Sequence, residues 1–259
     1  MRREDLTELV YDVVDGVARI RLNRPDQLNA FSSNLYGELR WAVRFAWFDD
    51  DVDVIVITGT GRSLATGGDL KETLGRLDDD DPLSMFAFFD NLPWADLRSC
   101  PKVIIAEING FCYAGGLITA VWSDISIAGE SAKFALTEGK VGIADAVAPS
   151  ALRGRISDAK LKYMLFTAKP IDAREAERIG LITEVVPDAD LEARVLEVVE
   201  EVRGTSPVSR ALFKQYVNQL VPLPADHGGL AAFRSSEVIE GLRAFGEGRP
   251  PDFRPNRPN

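Results

Sequence analysis

Short segments of alternating or continuous apolar residues run through the first half of the chain, and both patterns are typical of β-strands. Residues 9–15 and 17–23 lie on either side of the turn-forming pair Asp15-Gly16, which predicts a β-hairpin. Three later segments are apolar and continuous, as expected of strands that are buried on both faces: 52–58, 103–109 and 125–128. The first half therefore predicts a hairpin followed by buried strands.

Helical spacing of apolar residues appears between these strands and throughout the second half. Ser32 or Ser33 can cap an amphipathic helix over 34–48. Five later segments have the same spacing, with capping or breaker residues between them: 158–166, 172–179, 189–203, 207–220 and 229–245. The order of strands and helices predicts an α/β fold built from βαβ units.

We predict a single domain over residues 1–259, because no internal repeat or low-complexity linker divides the chain. Its core covers about residues 8–200, a helical C-terminal region about 201–247, and a poorly ordered tail 248–259. C-terminal helices with apolar stripes often pack on a partner subunit, although packing within the chain is the alternative.

Composition restricts the function more than the fold. The formal net charge of −10 argues against nucleic acid as the main partner. The longest apolar stretches are too short to span a bilayer, and the polar residues after Met1 are unlike a signal peptide. Two cysteines and one histidine, with no CxxC or HExxH pair, give no support for a bound metal. We expect a cytoplasmic protein that takes neither nucleic acid nor membrane as a partner.

A first glycine loop follows the strand at 52–58. Its residues 65–68 are small enough for a ligand to approach the backbone closely. Asp69 can accept backbone N–H groups and fix the loop where it enters the next helix. The glycine spacing is neither GxGxxG nor GxxxxGKS/T, so a nucleotide P-loop is rejected.

A second glycine loop, at 109–116, joins the strand at 103–109 to the start of a helix. The first amides of a helix are unpaired and lie at the positive end of its dipole. Amides from the two loops, at Gly68 and Gly115, can form an oxyanion hole, in which one donor lowers a barrier by about 3–4 kcal/mol. Each loop alone is more often a simple turn, but together they predict stabilisation of an activated acyl substrate.

Two acidic residues, Glu138 and Asp145, stand in an otherwise apolar, glycine-containing segment at 133–145. A carboxylate in an apolar cleft has a raised pKa and can carry a proton to and from a substrate. Surface carboxylates in a loop are the alternative interpretation.

Four segments occur in an order that matches a known family: 18–30, 67–70, 109–116 and 240–245. In these motifs the chain resembles the crotonase superfamily, the enoyl-CoA hydratase/isomerase family, over about residues 10–253. The resemblance implies a spiral of ββα units with a helical C-terminal trimerisation region. It also implies a homotrimer or a hexamer made of two trimers.

The resemblance further implies an acyl-CoA substrate whose thioester oxygen accepts the amides of Gly68 and Gly115. Coenzyme A is then part of the substrate, and no separate cofactor is expected. The substrate-binding positions carried over from the family, most of them toward the adenine end, are Gln27, Leu28, Ala30, Thr66, Asp69, Leu70 and Gly116. The reaction step common to the family is the formation of a thioester enolate, and the resemblance implies the same step here.

The chain departs from the hydratase pattern at Ile118. A typical hydratase of the family has two catalytic glutamates; Glu138 matches the second, and Ile118 occupies the place of the first. Isoleucine cannot transfer a proton, whereas one glutamate suffices to move a double bond by taking a proton from one carbon and returning it to another. We expect an isomerase-like enzyme or an atypical hydratase or dehydratase, with Glu138 as general acid/base.

Asp145 leaves a second reaction class open. Its position resembles that of an aspartate used for ring closure in naphthoyl-CoA synthases and of a nucleophilic aspartate in aryl-CoA dehalogenases. The alternative is therefore Asp145-assisted C–C or C–halogen chemistry, with a helix N-cap as the competing role. A third hypothesis is a non-catalytic homologue that binds acyl-CoA or RNA. The negative net charge of the chain argues against RNA binding.

The acyl group is not specified by the sequence. Aromatic residues precede the second glycine loop and favour a bulky or aromatic acyl group if they line the pocket: Phe86, Phe88, Phe89 and Trp94. Packing in the core or in a subunit interface is the alternative.

Overall fold

The structure is a computed structural model that describes residues 1–75, 90–144, 146–219 and 236–252. The strands in these ranges are β1 (Leu9–Val14), β2 (Val17–Leu22), β3 (Val54–Gly59), β4 (Ser63–Ala65), β5 (Val103–Ile108), β6 (Phe111–Tyr113), β7 (Ile125–Gly129), β8 (Lys133–Ala135), β9 (Ile171–Asp172) and β10 (Glu184–Val186). The helices are α1 (Ser33–Phe48), α2 (Leu70–Gly75), α3 (Trp94–Ser99), α4 (Gly115–Trp122), α5 (Val147–Leu152), α6 (Asp158–Thr167), α7 (Ala173–Arg178), α8 (Leu191–Arg203), α9 (Pro207–Gln219) and α10 (Ser236–Gly246).

The larger sheet has six strands in the order β1-β2-β3-β5-β7-β10. Strands β1 and β2 form the predicted hairpin, with Val14 opposite Val17. All later neighbours in this sheet pair in parallel. Every residue of β3 is buried, as its continuous apolar sequence predicts. The expectation of a hairpin followed by buried parallel strands is confirmed.

The second sheet is smaller, with the order β4-β6-β8-β9. Strands β4, β6 and β8 are parallel neighbours of three residues each, and β9 pairs antiparallel with β8. Segments this short have no readable periodicity, so the sequence pattern did not predict them as strands. This sheet aligns the three loops that follow β4, β6 and β8.

Helices cover both faces of the larger sheet. Helix α1 is capped by Ser32, whose Oγ accepts the Leu35 amide at 2.9 Å. Its buried residues join the main core between the sheet and the helical layer. Helix α8 packs on the opposite face and forms a second cluster around Val195 and Val199. The predicted helix 229–245 is helical from Ser236, and its first residues lie outside the described ranges. Within those ranges no helix is both long and apolar enough to cross a membrane.

Candidate active site

The two glycine loops and the acidic segment meet at one edge of the smaller sheet. Gly68 is the third residue after β4, Gly115 the second after β6, and Glu138 the third after β8. Because these strands are parallel neighbours, their carboxyl ends lie side by side. The Ala114 amide continues the ladder by donating to the Ala135 carbonyl at 2.9 Å. The sheet therefore brings together the three loops that the sequence singles out.

The two glycine loops touch each other at Gly67. A Cβ on Gly67 would lie 2.6 Å from the Cβ of Ala114 and 3.8 Å from the amide nitrogen of Gly115. Gly67 also has a φ of +97°, which side-chain-bearing residues rarely adopt. A glycine is required here for both reasons, and it holds Gly68 next to the start of α4.

The backbone on both sides of Gly68 is fixed by Phe31. The Phe31 amide donates to the Gly67 carbonyl at 2.7 Å, and the Asp69 amide donates to the Phe31 carbonyl at 2.8 Å. In such a parallel bridge the central residue points its own N–H to the opposite side. Gly68 is exposed, and no atom lies within 4 Å of the place a Cβ would take. Its amide N–H therefore points away from Phe31, and the side on which a Cβ would lie is open.

Gly115 provides the second amide, as the first residue of α4. Its N–H is among those that have no partner inside the helix and lie at the positive end of the dipole. The preceding Ala114 has a φ of +49°, an uncommon value for a non-glycine residue, and its carbonyl accepts the Ile118 amide at 3.0 Å. This bend starts the helix beside the first glycine loop.

An aromatic cluster lies under Gly115, and two of its members, Phe31 and Tyr36, were missed by sequence reasoning. The rings of Phe31 and Tyr36 stack at 4.4 Å, and Trp94 meets both rings edge-on. A Cβ on Gly115 would lie 2.8 Å from the Tyr36 hydroxyl and 3.4 Å from the Phe31 ring. Tyr36 occupies an ordinary apolar position of an amphipathic helix, so no pattern in the sequence distinguishes it from a core residue.

Glu138 begins the turn Glu138–Val141, where its side chain is partly buried. Its carbonyl accepts the Ile143 amide at 3.1 Å, and the Thr137 carbonyl accepts the Lys140 amide at 3.0 Å. These bonds fix the turn that carries the carboxylate. Its position after β8 places Glu138 on the same edge of the sheet as the two glycine amides.

The position expected for the first hydratase glutamate has apolar surroundings. Ile118 is 2% exposed and packs in the main core cluster. Asp145, the other acidic candidate, lies outside the described residues, as do Phe86, Phe88 and Phe89. Trp94, expected either to line the acyl pocket or to pack in the core or an interface, is buried in the aromatic cluster beside Gly115.

The loop predicted to hold the adenine end is fixed by Asn29, a residue outside the predicted set. Asn29 is fully buried and has a φ of +55°, a conformation that asparagine tolerates better than most residues. Its Nδ2 donates to the carbonyls of Thr60 and Ser63 at 3.0 and 2.8 Å. An asparagine shortly after Pro25-Asp26 is the sequence signal that could have identified it, because Pro, Asp and Asn are all frequent in turns.

The predicted binding positions themselves line this fixed loop and the next one. Gln27 is exposed, whereas Leu28, Ala30, Thr66 and Leu70 are partly buried. The Thr66 hydroxyl donates to the Leu28 carbonyl at 3.3 Å, which joins the two loops. Gly116 instead packs on strand β4, because a Cβ there would lie 2.3 Å from the Ala65 carbonyl oxygen.

Asp69 is held by intramolecular bonds. Arg24 donates to its carboxylate at 3.0 Å and also pairs with Glu8 at 2.9 Å. The amides of Lys71 and Glu72 donate to the other carboxylate oxygen at 3.1 and 3.3 Å. Burial raises the pKa of Asp69, but the Arg24 and amide hydrogen bonds outweigh it and hold the pKa below its usual value.

This network gives a pH-dependent stability prediction. A carboxyl with a lowered pKa in the folded state stabilises the fold above its unfolded pKa, and the contribution is lost as pH falls through the folded pKa. We expect Asp69→Asn to lower the free energy of unfolding by about 1.5–3 kcal/mol at pH 7. The difference from wild type should shrink below about pH 4 in urea titrations.

The matched control for this prediction is Asp172→Asn. Asp172 caps α7 by accepting the Glu175 amide at 2.8 Å, and asparagine caps a helix equally well. An Asp69→Asn effect that is as small as the control, or that is unchanged between pH 7 and pH 3, would contradict the role of the ion pair.

No group of three or more histidine, cysteine, aspartate or glutamate side chains that could hold a metal occurs among residues 1–75, 90–144, 146–219 and 236–252. Cys100 and Cys112 are both buried and unpaired, and burial raises the pKa of each thiol. Both cysteines therefore belong to the core.

Comparison with known proteins agrees with this architecture. A model of the family described as enoyl-CoA hydratase/isomerase matches residues 12–256. A probable mitochondrial enoyl-CoA hydratase of Dictyostelium discoideum is 34% identical over 249 residues, which cover 92% of this chain and 87% of that protein.

Two solved structures extend the comparison to the fold. An enoyl-CoA hydratase from Mycobacterium avium superposes with a TM-score of 0.82 at 24% identity, covering 96% of this chain and 99% of the other. A methylmalonyl-CoA decarboxylase in complex with 2-nitronate-propionyl-CoA superposes with a TM-score of 0.80 at 25% identity, covering 95% and 98% of the two chains. The expectation of a crotonase-like α/β fold is confirmed, and the chain belongs to the enoyl-CoA hydratase/isomerase family.

Proposed function

We propose that the protein stabilises the enolate of an acyl-CoA thioester with the amides of Gly68 and Gly115, and that Glu138 is its general acid/base. The observation that carries the proposal is the close approach of Gly67 to Ala114, which joins the two glycine loops. The parallel pairing of β6 and β8 adds the Glu138 turn at the same edge of the sheet. Amides held in this way stabilise negative charge on a carbonyl oxygen without reorganising during the reaction.

An acyl-CoA substrate is supported by the family and by the site. The relatives include a probable enoyl-CoA hydratase and a decarboxylase solved with a propionyl-CoA derivative. The open space beside Gly68 leaves room for a thioester, and the loop fixed by Asn29 provides a rigid surface beside it. We propose that coenzyme A enters only as part of the substrate.

The proposed reaction is isomerisation, or an atypical hydration or dehydration. The reason is Ile118, a buried hydrocarbon side chain that cannot activate water. A single glutamate is enough to remove a proton beside the thioester and return one to another carbon. A cytoplasmic location is part of the same proposal.

Proton NMR in deuterated water tests the proposal. Wild-type protein is mixed with crotonyl-, cis-3-enoyl- and aryl-CoA thioesters. Deuterium is followed at the carbon beside the thioester in the two enoyl substrates, and the aryl thioester, which has no hydrogen at that carbon, is followed for a change in its ring protons. Incorporation into at least one substrate is the expected result, and the product identifies the reaction. Binding of the thioesters with neither deuterium incorporation nor movement of a double bond in any of them would contradict enolate chemistry and favour a non-catalytic acyl-CoA binder.

We also propose a homotrimer, or a hexamer made of two trimers, assembled in part through α9. This helix is anchored by polar side chains, since Lys214 pairs with Asp124 at 2.8 Å and Asn218 donates to the Arg98 carbonyl at 2.9 Å. Its apolar side chains are instead exposed to solvent: Val208, Leu212, Phe213, Tyr216 and Val217. An apolar stripe on the outer face of a helix is typical of a protein interface.

A charge in this stripe should break the assembly. We expect Phe213→Glu, at a side chain that is 65% exposed, to reduce the mass measured by light scattering toward that of a monomer. Burial of a large apolar side chain in an interface stabilises the assembly by about 1.5–3 kcal/mol. The variant loses this contribution and must also bury an unpaired carboxylate, which costs free energy. The control is Phe166→Glu on α6, where the side chain is 81% exposed. An unchanged mass for Phe213→Glu would exclude α9 from the interface.

A further inference from the structure

The C-terminal helix α10 packs against both halves of the candidate site. It contacts α2, which begins two residues after Gly68, and it contacts the turn Glu138–Val141. Val238, Leu242 and Ala244 on this helix are fully buried, so the helix is seated by close packing.

The contact with the acid/base turn is made at Gly241. A Cβ on Gly241 would lie 2.3 Å from the carbonyl oxygen of Val141, 2.4 Å from its carbonyl carbon and 2.7 Å from its Cα. All three are backbone atoms, which cannot rotate away as a flexible side chain can. Glycine is a poor residue for a helix interior, so its presence here is explained by this approach of helix to turn.

The other end of α10 reaches the element after the first glycine loop. A Cβ on Gly246 would lie 2.8 Å from the Cδ2 atom of Leu74 on α2. Beyond the helix, Arg249 pairs with Glu240 at 2.6 Å, and the Asp252 amide donates to the same carboxylate at 2.9 Å. These bonds tie the residues after the helix back onto it.

We infer that Gly241 is a positioning residue: by allowing α10 to lie directly on the backbone of Val141, it sets the place of the Glu138 turn relative to the oxyanion amides. This inference rests on the proposed function for its catalytic consequence. The contact itself concerns the turn alone, and hydrogen exchange of the turn amides reports on it independently of any reaction.

The test compares Gly241→Ala with Gly37→Ala. Gly37 lies in the interior of α1 with no atom within 4 Å of a Cβ, so it controls for the change from glycine to alanine in a helix. We expect Gly241→Ala to lower amide protection at Lys140 and Ile143 at least about tenfold. We expect its kcat for deuterium incorporation to fall at least about tenfold, with KM changed less than about threefold. Gly37→Ala should change none of these quantities.

A second variant covers the case in which Gly241→Ala does not fold. Leu242→Ala loosens the same helix without adding a clash, and we expect the same direction of change in turn protection and kcat. Wild-type protection of the turn amides in Gly241→Ala, or in Leu242→Ala if only that variant folds, would overturn the inference. If wild type neither incorporated deuterium nor moved a double bond, the proposed function would be contradicted, and the protection data would then decide the positioning role alone.

Discussion

Replacing Glu138 with glutamine is expected to lower the rate of deuterium incorporation by about 10²–10⁴-fold, the usual contribution of a positioned acid or base. Glutamine has nearly the same shape but cannot take a proton from one carbon and return it to another. Acyl-CoA affinity should change less than about threefold, because the interaction lost is made only in the transition state. Proton NMR in deuterated water gives the rate, and calorimetric titration gives the affinity.

Glu130→Gln is the matched control. Glu130 is exposed on the turn after β7, so its substitution makes the same chemical change at a surface position away from the candidate site. If Glu138→Gln incorporated deuterium at the wild-type rate, Glu138 would not be the acid/base. Asp145→Asn then separates the hypotheses, because Asp145-assisted chemistry requires that side chain and simple isomerisation does not.

Replacing Gly67 with alanine is expected to lower kcat by about 10²–10³-fold, the cost of losing one oxyanion donor. The new methyl group would lie 2.6 Å from the Cβ of Ala114, so the two glycine loops must move apart. Separation of the loops removes the alignment of the Gly68 and Gly115 amides, although both amides are still present. Steady-state kinetics on the substrate identified by NMR measures the effect.

Gly61→Ala controls for backbone strain in this second prediction. Gly61 has a φ of +82°, close to the +97° of Gly67, but a Cβ there meets only the Pro25 Cβ at 3.4 Å. We expect both variants to lose about 1–2 kcal/mol of stability from the left-handed backbone. Only Gly67→Ala should lose most of its activity, and equal activity in the two variants would show that the contact between the loops is not needed.

The order of apolar, polar and glycine residues predicted those parts of the fold that depend on interactions between residues close together in the sequence. The alternating segments around Asp15-Gly16 form a hairpin, and the continuous apolar run in β3 is a strand buried on both faces. Ser32 caps α1, as the position of a serine before an apolar helical stripe indicates. The glycine loops were recognisable because small residues after a strand permit close backbone approach.

Contacts between distant segments were not readable in this way. Strands β4, β6 and β8 have three residues each and exist because they pair with one another, so no periodicity marks them. The ion pair between Arg24 and Asp69 joins residues 45 positions apart and ties the first glycine loop to the loop after β2. The approach of Gly241 to Val141 depends on where the last helix of the chain packs.

The sequence by itself determined the longer strands and helices, the two glycine loops and the single glutamate with isoleucine at position 118. Only the tertiary structure decided that these loops share an edge, because three short parallel strands bring their carboxyl ends together. It also decided the distances that hold Gly67 against Ala114 and Gly241 against Val141. Local preferences specify what each segment can form, whereas a site made from several segments exists only after packing has fixed their relative positions.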